Sequence, residues 1–308
     1  MFLIQPREWQ ERGDQLVATL LRQLEGRGLK ADKLGLVIAT PENGHPVGYS
    51  WRGDWACYPC SLVKAFHLVH ALELLDKGIL QPHEDLDRAL RDMILWSSNT
   101  ATNYVIDLVT STTGDTLLDE KDFSEWRAKR EVLNRHFKAL GWSEFSGCNI
   151  TQKLMDDMRY GREAQYAGRD GSYLNALTPL AAARLLWELF EGELPLLPSS
   201  RIRAQNELRR DLAGSDAGNA GYQVAGFLGA GLPPHLPYWS KAGHNTWTGD
   251  PRASYFKHDM IRFVSNKGTR FIAVVMTQGK TLSVDDPDVF HEIGRILYDE
   301  LAEVEVAA

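Results

Sequence analysis

An α+β fold follows from three features of this sequence: strand signals near both ends, a long mainly helical stretch between them, and an amphipathic helix towards each terminus. Residues 7–27 set Leu16, Leu20, Leu21 and Leu24 along a helical face and run out near Gly26 and Gly28, which predicts the first helix. Residues 34–40 and 46–51 predict two strands around the turn Pro41-Glu42-Asn43-Gly44. From Ser61 to about Leu197 the pattern is mainly helical, and residues 198–220 add a further helical stretch and a Gly/Asp/Asn-rich loop. Residues 238–247, 257–265 and 269–277 predict three more strands, the last two joined by a tight turn at Asn266-Lys267-Gly268. An amphipathic helix over 286–304 closes the chain.

These elements predict a five-stranded antiparallel sheet flanked by terminal helices, with a mainly helical domain inserted into it. The sheet domain is expected to take residues 1–60 plus 221–308 and the helical domain residues 61–220. A functional cleft is expected where the two meet.

At 308 residues, 44% hydrophobic and 24% charged, the chain can bury a large core as one domain or two packed lobes. A net charge of −7, with no basic run interleaved with aromatics, argues against nucleic acid or an anionic membrane as partner. The first ten residues lack a basic start, a long apolar stretch and a small-residue cleavage site, so a cytoplasmic location is expected, or a periplasmic or extracellular one if a leader has been removed. The three cysteines Cys57, Cys60 and Cys148 build no disulfide framework. Cys57-Tyr58-Pro59-Cys60 lacks the further ligands of a zinc site and is read as small residues filling space under a helix start. No metal and no organic cofactor is expected.

Chemistry concentrates in Ser61-Leu62-Val63-Lys64. A spacing of three puts hydroxyl and amine on one helical face. A serine becomes a nucleophile when a neighbouring base takes its proton, and a lysine serves as that base when burial or nearby positive charge keeps it partly neutral. Leu62, Val63, Ala65, Phe66, Leu68 and Val69 supply the apolar surroundings. Alone, the pattern also fits a capping serine followed by a solvated lysine. Two further segments follow in order: Ser97-Ser98-Asn99, after a helical pattern of Leu90, Met93 and Ile94, and Ser240-Lys241-Ala242-Gly243 at the head of the C-terminal strands.

The ordered set S-x-x-K, S-x-N, K-x-G resembles the class A serine β-lactamases and the related penicillin-binding D,D-peptidases. The resemblance extends to the apolar helix ending in Asp76-Lys77-Gly78, to the run from Ser97 to Ile106, and to Leu177-Thr178-Pro179 with the Ala- and Leu-rich helix after it. It implies a β-lactamase/transpeptidase-like fold and a serine hydrolase acting on a small-molecule or peptide-like acyl substrate. It also implies a catalytic set of Ser61, Lys64, Ser97 and Lys241. Ser61 would be the nucleophile, Lys64 the base and Ser97 the proton relay to the leaving group. Asn99, Ala242, Gly243 and His244 would bind substrate, with the amides of Ser61 and His244 as oxyanion hole.

Three departures stand out. Ala242 replaces a hydroxyl residue that would bond a substrate carboxylate, a loss of roughly 1.5–3 kcal/mol, for which His244, Asn245 or Arg252 could compensate. The stretch from Ser61 to Ser97 is short, which predicts an open cleft. The E-x-x-L-N motif of class A enzymes is missing from 162–175: Glu163 is the nearest deacylation acid, in surroundings that read as surface, and Leu174-Asn175 resembles the end of the motif. Without that acid, acylation by a β-lactam would proceed and hydrolysis stall.

His67 and His70 read as packing or solvated histidines, and His83, Glu84, Asp85 and Asp87 as a helix start. The expected function is hydrolysis of an amide or ester, possible β-lactams included, through acyl-Ser61 with Lys64 as general base. The alternatives are a catalytically degraded ligand- or penicillin-binding protein of the same fold and a glutaminase-type amidase.

Overall fold

Both ends of the chain meet in one antiparallel sheet, in the order β2-β1-β6-β5-β4-β3. Its strands are β1 (Leu34–Glu42), β2 (His45–Trp51), β3 (Arg209–Arg210), β4 (Tyr238–His244), β5 (Phe256–Val264) and β6 (Arg270–Gln278). The structure is a computed structural model that describes residues 2–155, 159–168 and 170–304.

Five of these strands are those expected, but the sheet has six. The addition, β3, is two residues long and pairs Arg209 with Trp239 and Arg210 with Tyr238 on the outer edge of β4. Two arginines carry no alternating pattern that sequence could expose. Arg210 is fixed instead by donating to the carbonyls of Glu207 and Ile94, both at 2.8 Å. The β1–β2 hairpin turns on Asn43 and Gly44 with φ of 50° and 76°, the left-handed pair that a two-residue type I′ turn needs.

One face of the sheet is covered by the terminal helices α1 (Arg7–Leu24) and α10 (Val289–Leu301). Leu16, Leu20 and Leu24 of α1 share a core with Phe290, Ile293 and Leu297 of α10, and Leu36, Ile38, Ala273 and Val275 of the sheet line it. The alternate strand residues Val37, Ala39, Val274 and Met276 face a second core. That core holds α2 (Val63–Asp76) and α8 (Pro179–Phe190), joined by α3 (Glu84–Leu95), α4 (Asn99–Thr110), α6 (Val132–Ala139) and α9 (Pro198–Leu208). Two more helices, α5 (Glu120–Arg130) and α7 (Gly161–Ala167), lie between α4 and α8 in the chain.

Every residue of α2 from Val63 to Glu73 is buried, which makes it a central helix with no solvent face. Its neighbours begin on capped termini. His83 Nδ1 accepts the Leu86 amide at the start of α3, followed by Glu84, Asp85 and Asp87 in the first turn. Ser98 Oγ accepts the Ala101 amide at the start of α4, and Thr178 caps α8 ahead of Pro179. Among the described residues no helix is long and apolar enough to cross a membrane.

Candidate active site

The segment leading into Ser61 is tied down on two sides. Cys57 exchanges backbone hydrogen bonds with Leu177, at 3.1 and 3.0 Å, ahead of α8. On the other side, the carbonyl of the next residue, Tyr58, lies 2.8 Å from His258 Nε2 on β5. His258 Nδ1 accepts the Thr277 amide at 3.1 Å, so the proton sits on Nε2 and donates to Tyr58. Burial holds this imidazole down at about 4, so it is neutral and keeps that tautomer at neutral pH. Cys60 then adopts φ of +49°, a left-handed conformation uncommon for a side chain with a Cβ. Ser61 follows on a single 3₁₀ turn, Cys60–Leu62, and α2 begins at Val63.

Ser61 is half-buried, while Lys64 is completely buried one turn on. The Lys64 amine donates to Asn99 Oδ1 at 2.8 Å, to Ser97 Oγ at 3.2 Å and to the Ser97 carbonyl. Ser97 lies on the short link between α3 and α4 with φ of +54°, a second strained residue at the site. Asn99 is the first residue of α4.

Lys241 arrives from β4, fully buried. Its amine donates to Ser97 Oγ at 3.0 Å, and to Gln223 Oε1 and the Ala242 carbonyl at 2.5 Å each. Two buried amines thus converge on one hydroxyl. Lys241 is held well below the ordinary lysine range, first by burial and then by the charges of Lys64 and Arg210.

Gly243 comes next to Lys241 but one. An ideal Cβ on it would lie 2.5 Å from the Ser61 amide nitrogen and 3.0 Å from Cys60 Cβ, so β4 rests directly against the nucleophile turn. His244, the following residue, is exposed at the strand end opposite Lys257. Ser61, Lys64, Ser97, Asn99, Lys241 and Gly243 are therefore brought together from three separate segments, with His244 beside them.

Ala242 faces the other way, into the core under the terminal helices, and is 1% exposed. Of the residues that could replace its hydroxyl, Asn245 bonds the Ala253 carbonyl and the Phe256 amide, and Arg252 pairs with Asp250 at 2.7 Å. His244 packs its ring against Phe227, with centroids 5.9 Å apart, at the strand end.

Glu163 corrects the surface reading: on α7 it is 1% exposed and pairs with the equally buried Arg130 at 2.8 Å, and it also accepts the Lys153 amide at 3.3 Å. Its surface-like neighbours in sequence are deceptive because its partner comes from α5. Asn175 is committed to the backbone of Gln152, accepting at 2.9 Å and donating at 3.1 Å. Arg169 of the same segment lies outside the described residues.

His67 and His70 are both buried among packing neighbours. His70 stacks on His136 with ring centres 4.0 Å apart. The described residues contain no cluster of His, Cys, Asp and Glu suited to a metal.

Three groups around the site were missed in sequence. Gln223 takes the Lys241 proton donor, His258 holds the Tyr58 carbonyl, and Asp259 lies behind β4 with its carboxylate 2.8 Å from Ser240 Oγ. Asp259 gave no clear signal in sequence, because its strand also carries Lys257, His258 and Arg262, and only the structure shows that all four are buried.

Comparison with known proteins bears on the family and the fold. A family model described as the beta-lactamase enzyme family matches residues 85–301, more than two thirds of the chain and downstream of Ser61 and Lys64. No curated protein matches. Among solved structures, a beta lactamase from Xanthomonas campestris pv. campestris superposes with TM-score 0.64 at 17% identity, covering 94% of this chain and 98% of that one. PBP-A superposes with TM-score 0.61 at 19% identity, over 94% and 97%. The class A beta-lactamase of the last common ancestor of Gram-negative bacteria gives TM-score 0.61 at 20% identity, over 92% and 98%. At such identities the likeness is one of fold. With the family model spanning most of its length, the chain belongs to the beta-lactamase enzyme family, within the β-lactamase/transpeptidase-like serine hydrolase superfamily.

Proposed function

We propose that this protein is a serine hydrolase that opens an amide or ester bond of a small or peptide-like acyl compound through an acyl-Ser61 intermediate. The observation that carries the proposal is the convergence of the Lys64 and Lys241 amines on Ser97 Oγ, at 3.2 and 3.0 Å, beside Ser61. Two buried ammonium groups sharing one hydroxyl repel each other, which favours loss of a proton from one of them. The amine that loses it gives up one of its three donated hydrogen bonds and offers a lone pair as base.

In this reading Lys64 takes the Ser61 hydroxyl proton as Oγ bonds to the substrate carbonyl carbon. The carbonyl oxygen becomes an oxyanion, met by the amides of Ser61 and His244 where β4 rests on the nucleophile turn. Collapse of the tetrahedral intermediate breaks the C–N or C–O bond, and the proton returns to the leaving atom through Ser97. Water then attacks the acyl carbon, the bond to Ser61 Oγ breaks, and the proton given up by that water passes to Ser61 Oγ as the acid leaves. Asn99 holds the Lys64 amine and faces the substrate. Like the β-lactamases it resembles, the cleft would accept a β-lactam as an acyl donor.

Hydrolysis of a panel of β-lactams, activated esters and simple amides by wild type and Ser61→Ala tests the proposal. Rates that fall to background in the variant support it. Undiminished rates for every active substrate would show that another group does the chemistry.

A further inference from the structure

Asp259 is fully buried on β5, opposite Ala242 of β4. Its Oδ1 accepts from Ser240 Oγ at 2.8 Å, and its Oδ2 from the Leu228 amide at 3.2 Å and the Tyr238 hydroxyl at 3.4 Å. Tyr238, Ser240 and Ala242 alternate on one face of β4, while Lys241 and Gly243 point from the other towards Ser97 and Ser61. The carboxylate therefore lies directly beneath the stretch of strand that builds the site.

We propose that Asp259 is a positioning residue for the acyl-transfer site, gripping β4 through Ser240 and opposing the charge of Lys241 from beneath the strand. The inference deepens the acyl-transfer reading and rests on it. No neutral residue would replace both contributions: an amide could keep a hydrogen bond to Ser240 but would bring no charge.

The charged and titratable groups around Asp259 are few. Lys241 and Tyr238 come from β4 itself, Arg210 from β3, and Lys257 from the same strand. Burial raises the Asp259 carboxyl to about 7, against the Ser240 hydrogen bond and then the charges of Lys241 and Arg210, which favour the ionised form. Lys241 in turn is pushed down by burial, Lys64 and Arg210 and pulled back up by Asp259. The two groups are thus linked, and ionisation of Asp259 near neutral pH strengthens the positive charge at Ser97.

The test uses Asp259→Asn and Ser240→Ala, each checked for a native circular-dichroism spectrum. Two readouts are followed: the pH profile of Ser61 acylation by a benzylpenicillin or activated-ester probe, and the ¹⁵Nζ titration of Lys241 in lysine-labelled protein, assigned through Lys241→Arg. Asp259→Asn is expected to lower acylation about tenfold above pH 7, the scale of one charge-assisted contact. It should also erase the inflection near pH 7 and move the Lys241 titration downward. Ser240→Ala should move both in the same direction by less. A folded Asp259→Asn with unchanged Lys241 titration and unchanged profile overturns the inference. Should Asp259→Asn not fold, Ser240→Ala decides on the same readouts. Should no probe acylate wild type, the acyl-transfer reading fails by itself, and the Lys241 titration still decides whether Asp259 sets that charge.

Discussion

Gly243 approaches Ser61 so closely that a Cβ on the glycine would fall 2.5 Å from the serine amide nitrogen. The contact is between backbones, so no flexible side chain can yield to relieve it. Absence of a side chain at position 243 is what lets β4 lie against the nucleophile turn.

Gly243→Ala must therefore push β4 and the 3₁₀ turn apart. Overpacking of this kind costs about 1–3 kcal/mol, and here the displacement falls on the atoms that would form the oxyanion hole. Acylation of Ser61 is expected to drop at least a hundredfold, far more than the lost stability explains. Thermal denaturation and acylation kinetics on the same sample check this. Near-wild-type acylation would place the oxyanion donors elsewhere.

Glu163 and Arg130 form a buried ion pair at 2.8 Å, each 1% exposed. Removing Glu163 leaves the buried Arg130 charge to a longer contact with Asp107 at 3.8 Å, so the cost should lie below the roughly 3–5 kcal/mol of a fully unpaired buried charge. Glu163→Gln should lower the denaturation midpoint and leave the lifetime of an acyl-Ser61 adduct within a few-fold of wild type. A stable variant with a greatly prolonged adduct would make Glu163 the deacylation acid after all.

Buried histidines set an acid limit on the fold. Burial, then the charges of Arg130 and Lys64, hold His67 down at about 3, while its ring nitrogens find no hydrogen-bond partner among the described residues. Burial, then His136, lowers His70 as well. A histidine with a depressed folded value binds fewer protons folded than unfolded, so its contribution is complete above about pH 6.5. That contribution is lost progressively as pH falls from there towards 3. His67→Leu keeps the apolar contacts and removes the titration, so its melting temperature should fall less steeply over this window. Parallel curves for the two proteins would assign acid sensitivity to other groups.

Much of this architecture was legible because it rests on local signals. The hairpin at Asn43-Gly44, the helix start at His83 to Asp87, and the three motifs carrying Ser61, Ser97 and Lys241 each fit in a short window of sequence. What was hidden depends on partners distant in the chain. Arg130 sits in α5, a helix of mostly charged residues that looks solvated, yet it is buried against Glu163, Thr112 and the Thr151 carbonyl. Ala242 marked a missing hydroxyl in sequence, whereas the strand alternation turns its methyl into the core. Asp259 and His258 act through contacts on the far side of β4 and on the Tyr58 carbonyl, which no motif records.

Covalent chemistry at Ser61 is the central claim, and intact-protein mass spectrometry tests it most directly. Wild type and Ser61→Ala would be incubated with benzylpenicillin and, separately, with an activated ester, and sampled over time. The expected result is an acyl mass increment on wild type with at least one donor and none on the variant. Equal increments on both proteins, or none on either with any donor, would contradict an acyl-Ser61 mechanism and leave a cleft that binds without reacting.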